Sequence, residues 1–90
     1  MSAMAARYEL MLTLPADVRY AVTARAVAVA AACHSGCGED AADTFGRNVE
    51  RTVHRCLSAV APDGALPITI RCAGGPVEVL VDGHTIAVQA

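Results

Sequence analysis

The segment CHSGCGED, residues 33–40, holds the residue types that could bind a metal ion or carry out thiol chemistry. Zinc sites commonly place two cysteines two to four residues apart and complete the tetrahedron with a second such pair. Cys33, His34 and Cys37 supply the first half of such a site. No second pair follows, because the other two cysteines are far apart in the chain. We therefore favour a helix corner built on the two glycines, and keep a small zinc or thiol protein as an alternative.

Other catalytic and cofactor motifs are absent from the sequence. The local sequence contains no Ser-His-Asp or Cys-His pattern of a nucleophilic enzyme. Its adjacent glycines at 74–75 precede an apolar strand pattern rather than a helix, which indicates a turn and not a phosphate-binding loop. We predict no catalytic residue, no cofactor and no resident metal.

Charge and hydropathy narrow the class of protein. The net charge is −2, so the chain lacks the basic surface of a nucleic-acid-binding protein. The most apolar run, residues 26–33, is far shorter than the roughly 20 residues that span a bilayer. The N-terminus does not resemble a signal peptide, because Glu9 interrupts its apolar part. We expect a cytoplasmic protein with reduced cysteines.

The first half of the chain predicts a strand, a helix, a corner and a second helix. Residues 7–14 alternate, with Tyr8 and three leucines on one face. Pro15 suits the first turn of a helix over 16–33, with the buried stripe expected on Val18, Val22, Val29 and Cys33. Gly36 suits a left-handed helix end, and a second helix is predicted over 39–60.

The second half predicts three strands. Residues 68–74 alternate, and residues 77–90 read as two further strands joined by Asp82-Gly83, a strong hairpin signal. The order β-α-α-β-β-β predicts an α+β two-layer sandwich with two helices packed on an antiparallel sheet. We expect one domain over 1–90, with residues 1–6 as a flexible N-terminus.

The composition also suggests self-association. Hydrophobic residues make up 54% of the chain, but aromatic residues only 3%, so the core must consist of small aliphatic side chains. Such a core favours close helix packing and leaves apolar surface that a second copy can cover. Two pairings are open, either helix on helix through the first helix or edge on edge through the strand at 84–90.

The layout resembles that of bacterial anti-sigma regulatory factors, the serine-kinase-like members of the histidine-kinase ATPase superfamily. The segment YELMLTLPADVRYAVTARAVAVAAAC, residues 8–33, resembles their opening strand, Leu-Pro-Ala and Ala/Val-rich helix. Residues 36–60 occupy the place of the helix that carries the ATP-site Glu-x-x-x-Asn box, and residues 67–83 that of the hairpin leading to an Asp-x-Gly box.

What the resemblance implies depends on the register of the second helix. Keeping the apolar stripe in phase puts Arg51 and Arg55 at the positions of the base and of the magnesium-binding Asn. The other register uses Glu50 and His54, which would join Asp82 and Gly83 around a nucleotide. The resemblance thus implies a shortened relative with degenerate ATP boxes.

From these observations we expect a non-catalytic protein-interaction or regulatory module that binds a protein partner, with a homodimer as one candidate. The alternatives are a nucleotide-binding anti-sigma or serine-kinase regulator, which rests on analogy of fold, and the zinc or thiol protein. No nucleic-acid or membrane partner is expected.

Overall fold

The computed structural model describes residues 7–73 and 75–88. The expected flexible segment 1–6 lies outside these residues. The secondary-structure elements, in chain order, are β1 (Arg7–Pro15), a short 3-10 helix (Val18–Tyr20), α1 (Ala21–His34), α2 (Glu39–Ala59), β2 (Ala65–Ala73), β3 (Glu78–Val81) and β4 (His84–Ala87). The predicted α+β class and the β-α-α-β-β-β order are confirmed.

The four strands form one antiparallel sheet in the order β1-β2-β3-β4. Both helices pack on one face of it, and their buried residues form a single core with the inward residues of the strands. The core consists largely of Ala, Val, Ile and Leu, with Phe45 as its one buried aromatic side chain among the described residues.

Strand β2 begins earlier than the prediction of 68–74. It starts at Ala65 and includes Pro67, which the sequence places in a loop. Proline is excluded from strand interiors when its missing N–H should pair with a neighbour. Here β3 pairs only with Ile68–Arg71, so at Pro67 the strand has one neighbour, Thr13 of β1. The position is locally an edge, where proline is tolerated.

The β3–β4 hairpin turns at the predicted dipeptide. Asp82 and Gly83 have φ values of 47° and 79°. Positive φ at both central residues is the requirement of a type I′ turn, which matches the twist of antiparallel strands. The turn fixes the register, so that Val81 opposes His84 and Val79 opposes Ile86.

The corner at 33–40 is a Schellman motif. The N–H of Cys37 donates to the carbonyl of Ala32, and the N–H of Gly36 donates to the carbonyl of Cys33, both at 3.0 Å. Gly36 has a φ of 93°, which only glycine adopts readily. Two carbonyls of the last turn of α1 are therefore satisfied by the corner itself. Its glycine was predicted correctly.

The start of α1 differs from the prediction. Pro15 ends β1 instead of opening a helix, and Asp17 caps the short 3-10 helix by accepting from the N–H of Arg19 at 3.0 Å. The Arg19 side chain binds the same carboxylate and lowers the pKa of Asp17. The regular helix then begins at Ala21.

The buried face of α1 also differs from the prediction. Its buried residues are all alanines, namely Ala21, Ala24, Ala28, Ala31 and Ala32. Val18, Val22 and Cys33, which were expected inside, are exposed. Valine and alanine are both apolar, so the sequence pattern did not separate the two faces. In the structure the alanines face the core, while Val27 and Val29 are only partly buried at its margin.

Helix α2 follows the prediction and shows why α1 lies so close. Its apolar stripe is buried at Phe45, Val49, Val53, Cys56 and Leu57. Gly46 lies on the side that faces α1, where an added Cβ would overlap with Val29 Cγ2 and lie 3.2 Å from Arg25 Cγ. The glycine thus sets how closely the two helices approach.

We expect Gly46→Ala to destabilise the fold, although alanine favours helix by about 1 kcal/mol over glycine. The new methyl group overlaps with Val29, whose β-branched side chain has one preferred rotamer in a helix. Overpacking costs about 1–3 kcal/mol, so the free energy of unfolding should fall.

The control is the same substitution in a Val29→Ala background, where the overlapping methyl is gone. There Gly46→Ala should raise the free energy of unfolding, measured by urea denaturation. A substitution that stabilises both backgrounds equally would show that Gly46 does not set the helix spacing.

Candidate functional site

The three residues of the candidate metal site, Cys33, His34 and Cys37, lie where the end of α1 and the following turn position them. Cys33 lies on the exposed side of the last turn of α1, and His34 is the last residue of that helix. Cys37 is partly buried against the core just past the left-handed glycine. Within residues 7–73 and 75–88, no three His, Cys, Asp or Glu side chains are grouped so as to hold a metal ion.

A polar cluster beside this corner ties α1 to the sheet. The hydroxyl of Tyr8 donates to the carbonyl of Ala31 and lies 3.3 Å from the hydroxyl of Ser35. Ser35 in turn contacts the sulfur of Cys72, at 3.8 Å. The ring of His34 packs edge-on against Tyr8, with centroids 6.5 Å apart. These contacts join the start of β1, the end of α1 and the end of β2.

The buried thiols have no free access to solvent. Burial raises the pKa of the Cys56 thiol, and the nearby charge of Asp82 adds to the effect. A raised pKa keeps the thiol protonated and poorly nucleophilic at neutral pH. Cys72 is also buried, in strand β2.

We expect thiol titration to divide the four cysteines by exposure. With a chromogenic disulfide reagent, Cys33 should react first, Cys37 more slowly, and Cys56 and Cys72 only on unfolding. Cys33→Ser should remove the fast phase. An equimolar amount of zinc should leave the fast phase unchanged, and protection by zinc would instead revive the metal site.

The candidate nucleotide residues fall at two places. Glu50 and His54 lie one turn apart on α2, where they line a shallow depression with Arg47 and Arg51. Asp82 and Gly83 form the hairpin turn and do not line this depression. The carboxylate of Glu50 accepts from Arg25 at 3.1 Å, so a cation on α1 already occupies it.

Arg25 is the centre of an ion-pair network between the helices. Its guanidinium reaches Glu50 at 3.1 Å and Asp43 at 3.3 Å, both on α2. Asp43 also binds Arg47, which is four residues further along α2, at 2.6 Å. The network lies beside Gly46, where the helices are closest.

We expect Arg25→Met to cost about 0.5–1 kcal/mol in the free energy of unfolding, because the pairs are partly exposed and worth little individually. The cost should shrink in 1 M salt, where charges are screened within about 3 Å. Denaturation of both proteins at low and high salt measures it. A loss that is independent of salt would assign the effect to packing of the Arg25 stem rather than to charge.

Exposed hydrophobic side chains are concentrated in one part of the described chain. Among the described residues, the exposed large hydrophobic side chains all belong to one segment of the chain, namely Leu10, Met11, Val18, Tyr20 and Val22. Met11 is 75% exposed and Val22 60%. Sequence analysis missed this concentration, because Leu10 was expected inside and Val22 on a buried stripe.

Two grooves flank α1 and extend this apolar surface. One, of about 460 Å³, runs between α1 and β1 and is lined by Tyr8, Leu10, Val27, Ala30, Ala31 and His34. The other, of about 470 Å³, faces α2 and includes Val22, Ala26 and Val29. Ala30 lines both grooves, so the outer side of α1 is continuous with them. We call this surface, from β1 across α1, the α1–β1 face.

Neither helix in the described part of the chain has the length and apolar character needed to cross a membrane. Comparison of the chain with known proteins found no relative. No protein-family model, no curated protein and no solved structure matched the chain.

Proposed function

We propose that this chain is a small non-catalytic protein-interaction module of regulatory type, which binds other protein chains, its own copies included, through the α1–β1 face. The observation that carries the proposal is the concentration of exposed hydrophobic side chains on β1, the 3-10 helix and the start of α1. Exposed apolar surface of this kind marks interaction sites on soluble proteins, and the groove between β1 and α1 joins Leu10 to the outer side of α1.

The contacts made by the residues that were candidates for nucleotide or metal binding support a non-catalytic role. A general base needs an available carboxylate, but Glu50 is engaged by Arg25. The depression around it carries Arg47 and Arg51 as well, and their positive charge disfavours a magnesium ion there. The corner at 33–40 is accounted for by helix termination, with the last carbonyls of α1 satisfied by Gly36 and Cys37.

A relationship to anti-sigma regulatory factors is part of the proposal. It is supported by the segment from Tyr8 to Cys33 and by the element order, in which two helices separate the first strand from a hairpin-linked group of strands. On this view the chain has kept the scaffold and a partner-binding role. Placement in the cytoplasm is supported by the exposed thiol of Cys33, which a reducing compartment preserves.

Native mass spectrometry tests the proposal directly, with and without magnesium and ATP. We expect a species of two or more chains whose mass matches the polypeptide alone, under both conditions. A nucleotide adduct would overturn the non-catalytic assignment in favour of the nucleotide-binding regulator, and a stoichiometric metal adduct would favour the zinc protein. A monomer at all concentrations would contradict self-association.

Val22→Ser adds a control on the surface. Val22 is exposed, so the substitution should leave stability nearly unchanged while it weakens association. The matched change Thr44→Ser, at an exposed position of α2 outside the α1–β1 face, should alter neither property.

A further inference from the structure

The two edges of the sheet are unlike each other. Among the described residues β1 pairs only with β2, so its other side is open, and β1 runs for 9 residues. Strand β4, at the opposite edge, has 4 residues. Natural edge strands avoid pairing by being short, bulged or rich in charge. Shortness protects β4, which lies in the segment 84–90 that sequence analysis gave as one of two possible pairing surfaces, whereas β1 lacks this protection.

Strand β1 is also regular along its length. Each of its residues from Arg7 to Pro15 opposes one residue of β2, with no bulge. Its apolar residues flank the open edge on both faces of the sheet. Leu10, on the helix-bearing face, is 46% exposed, and Met11, on the other face, is 75% exposed. A long, regular edge with apolar side chains on both faces is a template for another strand.

We propose that a second copy of this chain covers that edge, with the two β1 strands paired antiparallel about a two-fold axis at Met11, so that the sheets join and the α1–β1 faces meet. This inference rests on the proposed function and names its partner and contact geometry. A two-fold axis places the same strand opposite itself in antiparallel order, and it closes the assembly at two chains.

The sequence of β1 selects this register. With Met11 opposite its copy, all nine residues pair, Leu10 meets Leu12 and Tyr8 meets Leu14 on the helix-bearing face. Glu9 then opposes Thr13. A shift that centres the axis on Glu9 would place two carboxylates opposite each other. Registers centred on Leu10 or Leu12 also avoid opposed like charges, but only the Met11 register sets every residue from Arg7 to Pro15 opposite another residue of the strand.

The surface area that a stable dimer must bury indicates that the two β1 strands are only part of the proposed interface. A stable interface takes about 800 Å² from each partner, which is roughly 15% of the 5515 Å² that this molecule exposes. One strand edge supplies only part of that area. The groove between β1 and α1 opens beside Leu10, so side chains on the outer side of α1, such as Val27 and Ala30, can add to the contact.

Disulfide trapping tests the register. In a Cys33→Ser background, Met11→Cys places two thiols on directly opposed residues, where Cβ atoms lie about 4.5–5.5 Å apart, close enough to bridge with a small adjustment. Mild oxidation should yield a covalent dimer. Thr13→Cys is the control, because in this register the two copies of residue 13 are four residues apart, or about 13 Å. Equal trapping of both variants would overturn the register.

Charge substitution at the axis tests the interface without cross-linking. Met11→Lys puts two ammonium groups opposite each other in the dimer but leaves the monomer fold alone, because the side chain is exposed. We expect a roughly tenfold weaker dimer by sedimentation equilibrium. Met11→Glu should weaken it likewise, and an equimolar mixture of the two variants should restore association as a heterodimer. Thr85→Lys, exposed on the other edge strand, is the matched control and should change nothing.

The outcomes separate this inference from the proposed function. Weakening by both Met11 variants with recovery in the mixture supports the β1 pairing. A dimer that Met11→Lys leaves intact overturns the pairing, while the interaction module stands on another surface. Absence of any dimer in the unaltered protein overturns the second copy as partner, and with it the self-association in the proposed function.

Discussion

The close approach of α1 and α2 at Gly46 is the constraint on which the rest of the structure depends. A Cβ at this position would overlap with Val29, so the helix spacing exists only because glycine is there. The fully buried residues of α1 are all alanines, and Val29 is partly buried at the position where α2 carries Gly46. When two helices pack through small side chains, their backbones can come closer together. The larger side chains of α1 must then lie elsewhere.

The exposed apolar surface follows from the same constraint. Since α1 turns its alanines inward, Val22 is directed outward and Val27 and Val29 toward the flanking grooves. These valines form the apolar part of the surface through which we propose that another chain binds. The Arg25 network stands at one border of this surface and helps to fix the orientation of the helices through Asp43 and Glu50.

Local signals in the sequence were sufficient for the architecture. The alternation of residues 7–14, the left-handed glycine at 36 and the Asp82-Gly83 turn each have a short-range physical cause, and each was confirmed. The phase of α1 failed for the opposite reason. Alanine and valine cannot be ranked for burial without the helix spacing, which Gly46 sets from a distant part of the chain.

The candidate site was less predictable than the fold, again because long-range partners decide it. Glu50 could be recognised as an acid on a helix, but its pairing with Arg25, 25 residues away, could not be inferred from spacing. Pro67 pairs with Thr13 of β1 and is tolerated in β2 because β3 does not extend to it, and this depends on strand register rather than on composition.

The difference between the two sheet edges indicates which edge a second copy would pair with. If both edges were long and open, identical chains could add at either side and grow into a fibre. Here β4 has 4 residues and β1 has 9, so the proposed pairing uses β1. If each chain has one edge that can pair, two copies form a closed dimer and not an open fibre. The apolar residues on both faces of β1 and along α1 lie where such a closed pair would cover them, which connects the packing at Gly46 to the proposed role in binding other chains.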